Sequence, residues 1–284
     1  MTPDLSPHQS TGRAGRIAGA LAAYLLAVLA SLPFLWMLKS ALESPAAATA
    51  YPPHLLPDGH FVETFTAIFR DTQMLRWMLN SLIVSLVSTV IALALSIPMA
   101  YGLSRFRFRG RGGLSVAILG AQMMPPIVLI IPLYTFFVRM GLMDTLWSVI
   151  IANAAFALPV MVWMLKTVFD TVPYEIDEAA RIDGAGWGMI AFRIVLPLAI
   201  PGVVAASIFA FLNAWDEFML ARTLLRSVDK WVGTIGLSSL MGEYVTPWNQ
   251  IMATALIFTL PPVILFLFVQ RHFVSGLGAG AVKG

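Results

Sequence analysis

Long apolar runs alternate with short polar passages along this chain, and the runs are free of charge from end to end. An uncharged apolar run of about 18 or more residues can cross a hydrocarbon core as a helix rising about 1.5 Å per residue. Six runs meet that condition: Ile17 to Leu38, Met78 to Ser104, Gly112 to Val138, Thr145 to Leu165, Ile194 to Trp215 and Ile251 to Val269. Lipid cannot satisfy backbone N–H and C=O groups, so each run must satisfy its own, which a helix does. A barrel would need alternating polar positions that these runs lack. The expected fold is all-α: a polytopic membrane protein with six transmembrane helices in one domain over residues 17–284, behind a polar tail at residues 1–16. Met1 to Ser10, polar with two prolines, is expected to be disordered.

Prolines punctuate three of the runs, with Pro125-Pro126 and Pro132 in the third, Pro197 and Pro201 in the fifth and Pro261-Pro262 in the sixth. Each removes a backbone donor and favours a bend, which a membrane tolerates where neighbouring helices or a cavity compensate. Such kinks serve ordinary bundle packing, or they let spans rearrange around a central path. Outside the runs, Phe61, Phe65, Ile68 and Phe69 fall on one face of an amphipathic helix.

Composition agrees with the pattern. Apolar residues make up 58% of the 284 and charged residues 12%, about half the share of a soluble globular chain. The net charge of +3 sits at the ends of runs and forms no basic patch, which argues against a nucleic-acid partner. It reads instead as topology. Arg105, Arg107, Arg109 and Arg111, between the second and third runs, are the densest positive cluster and mark the cytoplasmic side. Both termini then face the cytoplasm, with Arg13, Arg16, Arg271 and Lys283 beside them. The connections Lys39 to Trp77 and Asp216 to Gln250 face outward, and the polar passage after the fourth run faces in. The first run has no small-residue cleavage site and is read as a retained span.

Catalytic chemistry has little to work with. There is no cysteine, the four histidines are scattered, and no metal-ligand cluster can be drawn. Asp216-Glu217 is the one adjacent acidic pair near a span, and neighbours on a helix diverge by about 100°, so they do not converge on a reacting atom. No glycine-rich phosphate loop of the form G-x-x-x-x-G-K-[ST] exists, and Lys283-Gly284 is in the wrong order. No catalytic or metal-binding residue is expected.

One polar passage is more specific than the rest. Pro173 suits a helix's first turn, Glu175, Asp177 and Glu178 suit the positive end of its dipole, and Asp183-Gly184 suits its end. Between them Ile176, Ala179, Ala180 and Ile182 give small and apolar surface, while Glu178 can pair with Arg181 one turn on. So short a helix is marginal alone and needs a partner. The series Glu178-Ala179-Ala180, then Asp183-Gly184-Ala185, then Leu196-Pro197 and Pro201-Gly202 resembles the "EAA" loop of membrane subunits in ATP-binding-cassette importers. Asn80-Ser81, the stretch Asn213 to Phe218 and the ending from Gln270 to Leu277 and Gly280 to Gly284 are similar to the carbohydrate-uptake, maltose-permease-G-like type. One departure is Asp216, where that type has asparagine.

That resemblance implies the type I importer permease fold, with an ATPase-docking loop at about residues 168–193. It implies coupling through Glu178, Ala179, Ala180, Asp183, Gly184, Ala185, Leu196 and Pro197, with Leu196-Pro197 carrying the docking helix rigidly into the fifth span. The implied partners are a second permease, two ATPase subunits that hold the ATP and magnesium this chain lacks, and an extracytoplasmic solute-binding protein. The implied location is the bacterial cytoplasmic membrane. The implied solutes are saccharides, polyols or glycerol-phosphate-like molecules. The outer loop Trp231 to Trp248, with Gly233, Gly236 and Gly242, is similar to the loop that meets the binding protein.

Polar side chains inside spans are costly unless they face the bundle or a wet cavity. Asn80, Ser85, Gln122, Asn153, Asn213, Asp216 and Glu217 are therefore candidates for a substrate path, with Tyr134 and Trp215 as rings able to stack on a sugar. All of these also serve as ordinary contacts between helices. The competing function is an ion-coupled secondary transporter or channel, which would need ionisable residues along the spans.

Overall fold

The computed structural model describes residues 13–242 and 246–281. The expected disorder of Met1 to Ser10 and the placements of Lys283 and Gly284 fall outside that range, as do the side chains of Arg13, Arg16 and Arg271. The described elements run α1 (Arg13–Ala41), α2 (Pro45–Ala48), α3 (Phe61–Asp71), α4 (Met74–Arg105), α5 (Arg111–Ala121), α6 (Pro126–Arg139) and α7 (Leu146–Asp170). They continue through α8 (Tyr174–Ile182), α9 (Trp187–Met189), a wide-turned segment Ile190–Val195, α10 (Leu196–Leu198), α11 (Ile200–Asp216), α12 (Met219–Leu224), a tight turn Val228–Lys230, α13 (Gly233–Ser239) and α14 (Trp248–Ala281). No strand occurs among the described residues.

Four apolar spans are unbroken helices: Ile17–Ala41, Met74–Arg105, Leu146–Asp170 and Trp248–Gln270. The third and fifth runs, expected as single spans, are each a bent pair instead. α5 and α6 meet at 94°, and Trp187–Leu198 meets α11 at 83°. At the first bend Pro125 is extended and Pro126 opens the new helix, so two consecutive N–H groups are missing where the old helix would need them. At the second, Pro201 lies in the first turn of α11 just after Ala199 leaves helical geometry. Proline alone does not break a helix, since Pro261-Pro262 sit half-buried within continuous α14. Exposure does not by itself break one either, since Met123 to Pro126 are exposed but so are Pro33 and Pro98 within continuous α1 and α4.

Both bent pairs still cross the bundle. Arg111, opening α5, lies near Asp170 at the last turn of α7, Gln122 at the bend donates to the Phe156 carbonyl at mid-α7, and the Asp144 N–H beyond α6 donates to the Leu224 carbonyl. The pair therefore runs antiparallel to the whole of α7. α11 does likewise, from Gly202 against Val168 near one end of α7 to α12 beside the other. Six crossings result, with α8 and the α4–α5 turn at one end and α12 and α13 at the other.

Helix α7 is the central post, packed most extensively on α4 and then on α11. Small residues let these backbones approach, with Ala92 and Ala100, Ala154 and Ala157, and Ala206 and Ala210 sharing one buried cluster. A second cluster packs α12 and α13 on Val84, Phe137 and Val149, and a third joins Ile68, Trp77, Phe211, Trp215 and Phe258. The predicted face of α3 is only half used: Ile68 is fully buried and Phe65 packs beside it, while Phe61 and Phe69 stay exposed.

Candidate functional site

Helix α8 forms where the residue pattern places it. Pro173 sits just before the helix with extended geometry, and Glu175 and Asp177 occupy the first turn, where the helix dipole favours negative charge. The helix ends in a glycine cap. Gly184 takes φ of 85°, its N–H donates to the Arg181 carbonyl at 3.0 Å, and the Ala185 N–H reaches back to the Ala180 carbonyl at 2.9 Å. These two bonds satisfy carbonyls that the last turn would otherwise leave open. Ala180 is buried in the core cluster, and Ala185 packs against it.

The two faces of α8 differ in kind. Asp177 and Ala180 are buried against the bundle, while Glu175, Glu178, Ala179, Ile182 and Asp183 are exposed, Ile182 to 87%. The anticipated Glu178–Arg181 pair is not formed. The Arg181 guanidinium instead lies over the Trp187 ring, 4.6 Å from its centroid, where a stacked cation gains more than an exposed ion pair.

Asp177 was read from the sequence only as a dipole-stabilising acid, and Arg105 only as a topology marker. The structure brings them together in a site with almost no solvent access, their side chains being 0% and 5% exposed. Arg105 Nη2 lies 3.2 Å from Asp177 Oδ2 and donates to the Val172 carbonyl at 2.9 Å. The Tyr101 hydroxyl donates to Asp177 Oδ1 at 2.8 Å. Arg105 Nε and Asp177 Oδ2 have no well-aligned hydrogen-bond partner, so the cluster is not fully satisfied. Around it the rings of Trp187, Phe106, Tyr101 and Phe169 meet edge to face in a row, at centroid distances of 4.8, 6.1 and 6.0 Å. The sequence signal for this cluster was the i,i+4 placement of Tyr101 and Arg105 on the last turn of a span.

The chain does not run straight from α8 into the fifth span, which corrects the expected rigid lever. After the Asp183–Gly186 turn come α9, the wide-turned Ile190–Val195, α10 and the 83° bend. Leu196 is half-buried and Pro197 exposed in the short segment before that bend.

The polar residues of the spans divide by surroundings. Asn80 is buried and its amide donates to the Asp229 and Trp231 carbonyls at 3.0 and 2.8 Å, which ties α4 to the tight turn beside α13. Asn153 is buried and bonded to the Val149 carbonyl of its own helix. Ser85 is buried, and its hydroxyl has no partner. Glu217 is half-buried and caps α12, accepting from the Leu220 and Ala221 N–H groups at 2.7 and 2.9 Å. Gln122, Asn213 and Asp216 are exposed on the chain taken alone. Trp215 is not available for stacking on a solute, because the rings of Phe211 and Phe258 cover it at 5.6 and 4.6 Å. The Tyr134 hydroxyl is engaged by Arg226 Nη2 at 2.5 Å.

At the opposite end Asp144 joins the α6–α7 connection to the segment after α12. Its carboxylate accepts from the Arg226 and Ser227 N–H groups at 2.8 and 2.9 Å and from the Ser227 hydroxyl. Burial works against the charge, but the Ser227 hydroxyl and these N–H groups outweigh it and hold the Asp144 carboxyl below the ordinary carboxylate range. A folded-state pKa below the unfolded one means that the tie stabilises fully above about pH 4 and is lost as pH falls through the lowered value. Thermal melts of the purified protein are expected to fall more steeply with acidification in the wild type than in Asp144→Asn. Asparagine tolerates the positive φ of 57° at this position, so the comparison isolates the charge.

A helical bundle of six crossings, with a glycine-capped helix at one end, is the architecture of a polytopic membrane protein. Residues 92–278 match the family described as "Binding-protein-dependent transport system inner membrane component". The chain belongs to that family: it is a permease subunit of an ATP-binding-cassette importer, a protein of the bacterial inner membrane that works with other transporter components. It is 36% identical over 262 residues to the inner membrane ABC transporter permease protein YcjP of Escherichia coli K12, covering 92% of this chain and 94% of that one. It is 33% identical to the trehalose transport system permease protein SugB of Mycobacterium tuberculosis, covering 90% and 93%. A crystal structure of a bacterial ABC transporter involved in import of the acidic polysaccharide alginate aligns with a TM-score of 0.77 at 24% identity, over 96% of this chain and 100% of that chain, and shows the shared fold.

Proposed function

We propose that this chain imports a sugar, oligosaccharide or polyol, pairing with a second permease, two ATPase subunits that bind ATP and magnesium, and an extracytoplasmic solute-binding protein. Relatives named for trehalose and for maltodextrin support the solute class. In this reading α8, the α4–α5 turn and both termini face the cytoplasm. The observation that carries it is the exposed face of α8, where Ala179 allows close approach, Ile182 offers an apolar contact, and Glu178 and Asp183 fix orientation. Such a face on so short a helix fits a cleft in an ATPase subunit. Closure of the ATPase pair on ATP moves α8 and opens the path between the two permeases outward, and hydrolysis resets it.

Gln122, Asn213 and Asp216 are polar, exposed and within or at the end of bent spans, which suits a wet path between two permeases. Of the other path candidates in the spans, Asn80, Ser85 and Asn153 are buried within the chain, and half-buried Glu217 caps α12. The ion-coupled alternative finds little support, because ionisable residues of the described spans lie at their ends.

Replacing Ala179 with arginine tests the docking face. The residue is exposed, so the permease should melt as the wild type does, while ATPase co-purification and binding-protein-stimulated ATP turnover fall about tenfold or more, as a charge in an interface core commonly costs. Unchanged turnover would refute the assignment. Gly184→Val should act more weakly, since it meets no neighbour and costs only the strain of φ at 85°, about 1–2 kcal/mol.

A further inference from the structure

We propose that Asp177, Arg105 and Tyr101 form the mechanical joint of this subunit, so that movement of α8 is delivered first to α4 and not to α11. The inference rests on the reading of α8 as the ATPase-docking helix, and it concerns which span that helix drives.

Sequence order favours α11, which follows α8 in the chain, and the intervening Ile190 and Val195 are buried beside Ala180, but that path changes direction several times. It contains a glycine turn at Asp183–Gly186, the wide-turned Ile190–Val195, and the 83° bend before α11. A push along such a path has to turn at each change of geometry. The route to α4 is a direct side-chain contact. Asp177 lies on the inner face of α8, and both its charged partner and its hydroxyl partner belong to the last turn of α4. Arg105 also holds the Val172 carbonyl, just before α8 begins, so one guanidinium grips the helix and its approach. The ring row from Trp187 through Phe106 and Tyr101 to Phe169 closes the same gap, and Arg181 adds its own stack on Trp187. Beyond the joint, α4 has the most extensive contact with α7 and the next most extensive with α11. A displacement that enters α4 therefore reaches the centre of the bundle.

The chemistry of the cluster supports a moving part over a static one. Withdrawing two charges from water costs several kcal/mol per ion, and apolar side chains of similar volume would hold a fixed contact at least as well. What a charged pair adds is direction and register. Arg105 Nε and Asp177 Oδ2 lack aligned partners in this arrangement, which leaves bonding capacity for a second position of α8 against α4.

The test uses the whole complex, with partner permease, ATPase subunits and binding protein, in proteoliposomes supplied with the solute its binding protein holds. Two quantities are read: the ATPase content of the purified complex, and solute taken up per ATP hydrolysed. Tyr101→Phe removes one hydroxyl and keeps the ring row, so assembly should be normal while uptake per ATP falls about threefold. Asp177→Asn should lower uptake per ATP about tenfold, within the usual range of coupling between sites. Exchanging the charges, Arg105→Asp with Asp177→Arg, should recover part of that loss. If both single variants assemble and keep wild-type uptake per ATP, the joint is refuted. If uptake falls only in step with lost ATPase, the ratio stays constant, the cluster is merely structural, and the proposal is equally refuted. Failure of the underlying docking reading looks different: Ala179→Arg would then leave assembly and turnover untouched, and the joint would fall with it.

Discussion

Replacing Gly202 with valine is expected to be among the most damaging single changes to the membrane core. A Cβ at Gly202 would lie 2.3, 2.6 and 2.9 Å from Val168 Cγ2, Cγ1 and Cβ, closer than carbon atoms can sit. Val168 is β-branched and has little rotamer freedom on a helix, so it cannot swing aside. α7 and α11 must separate at their shared end, against a typical overpacking cost of about 1–3 kcal/mol, with valine at or above the top of that range. Thermal melting of the detergent-purified protein would show it. Gly202→Ala combined with Val168→Ala should recover most of the loss, because the pair exchanges volume across one contact. A Gly202→Val protein that melts like the wild type would mean the two helices are not this close.

Trp215→Ala should be comparably severe for a different reason. The side chain is 1% exposed and stacked between Phe211 and Phe258, which links α11 to α14. Removing a buried tryptophan leaves a cavity and costs about 3–5 kcal/mol. Trp215→Phe keeps most of the stack and should cost far less. Apparent solute affinity of the Trp215→Phe complex should be unchanged, since no face of the ring is open to a ligand. An affinity change at preserved stability would return Trp215 to the substrate path.

Both residues lie in stretches that the sequence had already singled out, and in both the reason differed. Pro201-Gly202 was noted as part of a motif series, but its glycine answers to Val168 on another helix. Trp215 was noted as an amphipathic ring, but two rings from distant parts of the chain cover it. The same holds for Glu217, whose place in the Asn213 to Phe218 stretch was clear while its use as the α12 cap was not. Motif recognition finds positions under constraint. The partner that imposes the constraint is a matter of packing.

What the residue order settled unaided follows from local physics. Charge-free runs must be helices in lipid, so the all-α class and the number of crossings could be read directly. Pro173, the acids after it and Asp183-Gly184 bound α8 through effects acting within one or two turns, so its limits were legible too. The tertiary structure alone decided what depends on contacts between distant segments: where the third and fifth crossings bend, which glycines are crevices, which polar side chains are already occupied, and that Asp177 is gripped by Arg105 and Tyr101. Proline marks where a helix can break but not whether it does, since Pro33 and Pro98 sit in unbroken helices, and a charge in a sequence carries no label for the opposite charge that will bury it.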